Sequence, residues 1–131
     1  MEMRITFGEG LRVDAEYRGF TIRTDQPVDG GGEASAPEPF TYFLASIGTC
    51  AGIYVLSFLK HHDLPTEGVR LVQKNVFDPA HHRLSKVDLE IVVPKDFPEK
   101  YRKALVRSAE LCAVKRVMAD PPDFSITTVE G

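Results

Sequence analysis

Cys50 and Cys112 are the residues whose type and placement best fit them for covalent chemistry. Cys50 sits in Ser46-Ile47-Gly48-Thr49-Cys50-Ala51-Gly52, and Cys112 in Glu110-Leu111-Cys112-Ala113-Val114-Lys115. If the fold brings the two segments together, a thiolate and a resolving thiol come within disulfide reach, which is the equipment of redox work. If it does not, both are small buried hydrophobes. Gly48 and Gly52 flank Cys50, where missing side chains allow a substrate or another helix to approach closely. The chain has no CxxC and no metal-type Cys/His cluster. His61-His62 and His81-His82 are adjacent pairs, and neighbours in sequence diverge on a helix and face opposite ways on a strand, so neither is a chelating pair. Gly30-Gly31-Gly32 lacks the spacing of a phosphate loop. No metal and no cofactor are expected.

The elements that must position the thiols can be read from periodicity. Met3, Ile5 and Phe7, then Leu11, Val13, Ala15 and Tyr17, then Phe20 and Ile22 alternate with polar residues and are interrupted by Gly8-Glu9-Gly10 and Arg18-Gly19, which predicts a three-stranded antiparallel meander. Asp25 to Pro39 has the composition of a long loop. Phe40 to Leu59 carries no charge and predicts a helix apolar around most of its circumference, hence centrally buried. Phe43, Ile47, Cys50 and Tyr54 share one stripe of it. Such a run is long enough to cross a bilayer, but Thr41, Ser46, Gly48, Thr49 and Ser57 within it and strand patterns on both sides argue against a span.

Val69 to Phe77 and Val87 to Val93 return to period two and predict a hairpin. Asp96-Phe97-Pro98-Glu99 then reads as an N-cap, an early-helix proline and a capping-box carboxylate. Tyr101, Leu105, Ser108 and Cys112 recur at helical intervals, so a second helix turns Cys112 inward. Its cations Lys100, Arg102, Lys103, Arg107, Lys115 and Arg116 read as a solvated face. Asp120-Pro121-Pro122 stops this helix, and Phe124 to Val129 predicts a closing strand. The order βββαββαβ is that of an α+β domain, with two central helices on or between antiparallel sheets.

With 131 residues and 43% hydrophobic content the chain is the size of one domain, 1–131. A formal charge of -3 offers no electrostatic footprint for nucleic acid. The N-terminus lacks the organisation of a signal peptide, which points to the cytoplasm, where a lone cysteine pair is less suited to a permanent staple than to a buried or catalytic role.

Ala36-Pro37-Glu38-Pro39-Phe40-Thr41-Tyr42-Phe43-Leu44-Ala45-Ser46-Ile47-Gly48-Thr49-Cys50 resembles the stretch before the reactive cysteine of the OsmC/Ohr family, the osmotically induced and organic hydroperoxide resistance proteins. Leu111-Cys112-Ala113-Val114 is similar to the family's second-cysteine segment. The resemblance covers nearly the whole chain. It implies an intertwined homodimer and a thiol peroxidase acting on organic or inorganic hydroperoxides. Cys50 would become a sulfenic acid, Cys112 would condense with it to a disulfide, and an external dithiol would reduce the disulfide.

In relatives with this activity a Glu nine or ten residues before the reactive cysteine positions an Arg that stabilises the thiolate. Here those positions are Thr41 and Phe40. Glu38, between two prolines, is the nearest carboxylate, and the early meander offers Arg4, Arg12, Arg18 and Arg23, with Arg18 and Arg23 carried as candidates beside Glu38 and Thr41. A thiol near its reference pKa of about 8.5 is only a few per cent ionised at neutral pH, so the activating group decides activity. The alternative is a non-catalytic relative that binds a small apolar or acyl ligand at the dimer interface.

Overall fold

The chain starts with three short strands, β1 (Arg4–Phe7), β2 (Val13–Tyr17) and β3 (Phe20–Thr24). The computed structural model describes residues 1–131 and divides into two compact units, Met1–Ala45 and Ser46–Gly131. Helix α1 (Pro39–His61) runs through the division.

In the first unit the strands form the predicted antiparallel meander in the order β1-β2-β3. Ile5 stands opposite Ala15 and Ala15 opposite Ile22, which gives the sheet one apolar face. Arg4 opposite Glu16 and Asp14 opposite Arg23 put unlike charges across from each other on the other face. Tyr17 and Phe20 pair across a two-residue loop whose Arg18 (φ 49) and Gly19 (φ 82) are both left-handed, the pattern of a type I′ hairpin.

The loop that follows is pinned by Asp25, which is 1% exposed. Its carboxylate accepts hydrogen bonds from the Ser35 hydroxyl (2.6 Å), the Ser35 backbone N–H (3.0 Å) and the Gln26 N–H (2.7 Å). These donors, the Ser35 hydroxyl foremost, lower its pKa to about 2 against the opposing cost of burial.

The second unit is built on β4 (Arg70–Asp78) and β5 (Arg83–Val92), an antiparallel hairpin with a bulge at Val76/Phe77. Leu71 pairs with Ile91, and Val69 and Val93 continue the same apolar patch. Lys74–Glu90 and Lys86–Asp88 ion pairs mark the sheet's polar residues. Val55 and Leu59 of α1 join Phe97 and Leu105 in the core, against Leu71 and Ile91.

The second helical region differs from the single predicted helix. It begins with a 3-10 turn at Glu99–Tyr101, continues as α2 (Arg102–Ala109), breaks at Glu110–Cys112, and resumes as α3 (Ala113–Ala119). Asp96 makes no side-chain cap, and Glu99 pairs with Arg102 at 2.7 Å instead of closing a capping box. The backbone turns where Cys112, with a ψ of 122°, occupies the N-cap position of α3. The predicted strand over 124–129 is not formed. Pro121 and Pro122 lack N–H donors, no strand of the chain lies alongside, and Phe124, Ile126 and Val129 stay exposed. The architecture remains α+β with antiparallel sheets, now with three α-helices.

Helix α1 is long and apolar enough to cross a membrane. Its Ile47, Ala51, Val55 and Leu59 recur every fourth residue and are buried, which is the stripe of a core helix. The burial is narrower than the all-round apolarity predicts, since Phe40, Phe43 and Ile53 remain exposed.

Candidate active site

The buried stripe of α1 corrects the predicted one. Phe43 is exposed and Tyr54 half-buried, whereas Ile47 and Ala51 are buried, so Cys50 lies at the margin of the stripe, half-buried, beside Ala51. That margin is where a reactive thiol stays reachable. Cys112, 2% exposed, comes from the break between α2 and α3. Both thiols are free.

The geometry brings the two together. The Cys112 thiol hydrogen-bonds to Cys50, and the backbone N–H groups of Val114 and Ala113 also point at the Cys50 sulfur. The N–H of Val114 does most to hold the Cys50 thiol below its ordinary pKa, followed by the Cys112 thiol, with Ala113 N–H and the positive charge of Arg116 adding to them and burial opposing. The thiolate is thus favoured by the first turn of α3. That turn exists because the helix breaks at Cys112, which aims amides without intrahelical partners at Cys50.

Sequence reasoning missed these groups. Backbone amides have no side-chain signature, and the spacing of Arg116 places it on the solvated face. Arg116 is indeed exposed, but its charge reaches the thiol. The one available signal was its place four residues after Cys112, whose carbonyl accepts the Arg116 N–H at 3.2 Å.

The other candidates fall in the first unit. Arg18 is in the β2–β3 turn with its guanidinium 5.1 Å from the Tyr17 ring centroid. Arg23 is on β3, and its carbonyl accepts the Tyr42 hydroxyl at 2.7 Å. Glu38 precedes α1, and its carbonyl accepts the Thr41 N–H at 3.0 Å. The groups that act on Cys50 come instead from the α3 region.

Beside Cys112 lies a cavity of about 320 Å³ lined by Ile47, Val87, Leu89, Ile91, Val106 and neighbouring residues, with Glu110 and Lys115 as its charged members. The His62 ring lies tilted against Phe58 (4.3 Å) and Tyr101 (4.7 Å), and His81 contacts Asp78 at 2.6 Å.

A two-cysteine site on this α+β fold defines a class, and the family model described as OsmC-like protein matches residues 30–127. The chain belongs to the OsmC-like family. A Psychrobacter arcticus 273-4 structure, named for osmotic stress induction and detoxification response, superposes with a TM-score of 0.73 at 22% identity, covering 87% of this chain and 85% of that one. An organic hydroperoxide resistance protein OsmC from Legionella pneumophila gives 0.58 at 16% identity, with 89% and 87% covered. A Vibrio cholerae O1 biovar eltor structure named for organic hydroperoxide resistance, with captopril bound in one of its active sites, gives 0.54 at 15%, with 89% and 84% covered. At these identities the likeness establishes the fold. No curated protein matches the chain in sequence.

Proposed function

We propose that the protein is a cysteine-based peroxidase that reduces hydroperoxides, acting as a single-domain homodimer in the cytoplasm. The observation that carries this reading is the contact of the Cys50 sulfur with the Cys112 thiol and the amides of Val114 and Ala113. Family membership and the hydroperoxide-resistance names of the Legionella and Vibrio structures support it.

The Cys50 thiolate attacks the terminal peroxide oxygen, the O–O bond breaks, and the alkoxide leaves and takes a proton to give the alcohol. Cys50 is now a sulfenic acid. The Cys112 sulfur attacks the Cys50 sulfur, water leaves, and the Cys50–Cys112 disulfide remains. An external dithiol returns the pair to thiols. The α3 amides and Arg116 take the part that a Glu-positioned Arg plays in relatives of the usual pattern, which makes the residue types at Phe40 and Thr41 less decisive.

Treating the reduced protein with one equivalent of cumene hydroperoxide and mapping its thiols by mass spectrometry tests the reading. A Cys50–Cys112 disulfide and peroxide consumption that vanishes in Cys50→Ser are expected. Failure to form the disulfide, with no Cys50-dependent consumption, rejects it.

The cavity beside Cys112 favours a second reading, binding of a small apolar or acyl ligand without turnover. That reading expects a thermal shift with such a ligand that persists in Cys50→Ser, together with no peroxide consumption by the wild type.

A further inference from the structure

The two sulfurs of the site differ in access, and we infer that when the Cys50–Cys112 disulfide is reduced the incoming thiolate attacks Cys50, with Cys112 as the leaving group. This rests on the disulfide cycle proposed above.

Disulfide exchange needs the nucleophile in line with the bond it breaks, approaching from beyond the sulfur it attacks. Cys50 is half-buried and open at the margin of the α1 stripe. Cys112 is 2% exposed, and its sulfur lies 3.9 Å from the Ile47 carbonyl oxygen, a site that repels an anion. The remaining space around Cys112 is the cavity walled by Ile47, Val87, Leu89, Ile91 and Val106. A thiolate entering there sheds its water against apolar side chains, which strongly disfavours an unpaired charge. Glu110 and Lys115, both on the cavity lining, offset each other and give the anion no net attraction.

Leaving-group chemistry pulls the other way, since a thiol with a lowered pKa departs more readily and Cys50 is held below its ordinary value. That preference grades smoothly with the leaving thiol's pKa, whereas a sulfur that the nucleophile cannot reach in line does not react at all. Access therefore decides.

The step balances as an exchange. The reductant's thiolate forms a bond to the Cys50 sulfur, the Cys50–Cys112 bond breaks, and its electron pair goes to Cys112, which takes up a proton. The reductant's second thiol then attacks the reductant sulfur of the mixed disulfide, closes the reductant's own disulfide and releases the Cys50 thiolate. Cys112 is freed in contact with the mixed disulfide and expels a monothiol by reversal. A second thiol held within the same reductant molecule lets ring closure compete with that reversal.

The experiment forms the disulfide with diamide, independently of peroxide, adds excess glutathione, quenches with acid at successive short intervals, and maps the adduct by mass spectrometry. The early adduct is expected on Cys50 by at least tenfold over Cys112. An adduct first on Cys112, on both to a similar extent, or on neither at any interval overturns the inference, as does failure of diamide to close the pair. If diamide closes the disulfide and peroxide does not, the peroxidase reading fails while the assignment of the attacked sulfur is still decided by the adduct.

Discussion

The Cys112 sulfur lies 3.9 Å from the backbone carbonyl oxygen of Ile47, one helical turn before Cys50 on α1. Cys112 has a single S–H and two acceptors, this carbonyl and the Cys50 sulfur. When Cys50 ionises, the hydrogen is better placed on the thiolate, because charge-assisted hydrogen bonds are about twice as strong as neutral ones. On the proposed cycle, the Cys112 thiol would thereby help to activate the thiol it later captures.

The Cys50 thiol is expected to titrate below an ordinary cysteine. Iodoacetamide alkylation followed against pH should reach half-maximal rate below the free-thiol value, and Cys112→Ala should move that midpoint upward. Arg116→Gln should raise it as well, by less than Cys112→Ala, because its charge ranks behind the hydrogen bonds. An unchanged midpoint in both variants would remove Arg116 and Cys112 as activators.

Leu105→Ala should destabilise the protein by about 2–5 kcal/mol, since it empties a fully buried position between Phe97 and the α1 residues Val55 and Leu59. Urea denaturation followed by circular dichroism should show a lower midpoint with an unchanged slope. The same substitution at exposed Val106 should stay within about 0.5 kcal/mol of wild type.

The Asp25 clamp sets an acid limit. With the folded pKa lowered from 3.8 to about 2, its contribution to stability is fully present above the unfolded value and is lost as pH falls through about 2. Amide exchange of Gln26 and Ser35, whose N–H groups donate to the carboxylate, should stay slow at pH 4 and rise steeply toward pH 2. In Asp25→Asn the two amides should exchange fast at every pH.

Gly48 and Gln73 are expected to be coupled. A Cβ at position 48 would come within 2.5 Å of the Gln73 side-chain oxygen, which sits at the end of a flexible side chain that also donates to Asn75 at 2.9 Å. Gly48→Ala gains about 1 kcal/mol of helix propensity and gives part of it back by displacing that amide. A double-mutant cycle with Gln73→Ala should therefore show Gly48→Ala more stabilising in the variant background than in wild type; additive effects would dissociate the two positions.

The parts of this structure legible in the sequence are those written in side chains. The uncharged run after Pro39 announced α1 to within two residues at either end, and alternation announced β1 to β5. Helix spacing turned Cys112 inward, where it meets Cys50. The break at Glu110–Cys112 was hidden because Leu105, Ser108 and Cys112 keep helical intervals through it and neither Gly nor Pro marks it. The activating amides of Val114 and Ala113 were hidden for a deeper reason: any residue but proline would supply them. The strand over 124–129 was over-read, because alternation shows that a segment can pair and says nothing of whether a partner strand is there.

On the proposed cycle, the turn that begins α3 would also report redox state. Once the disulfide closes, Cys50 carries no charge and Cys112 no hydrogen, so the Val114 and Ala113 amides lose the anion they face. Their proton chemical shifts should move upfield together on oxidation and return on reduction. Two backbone resonances would then follow the oxidation state of the site without any label on the sulfurs.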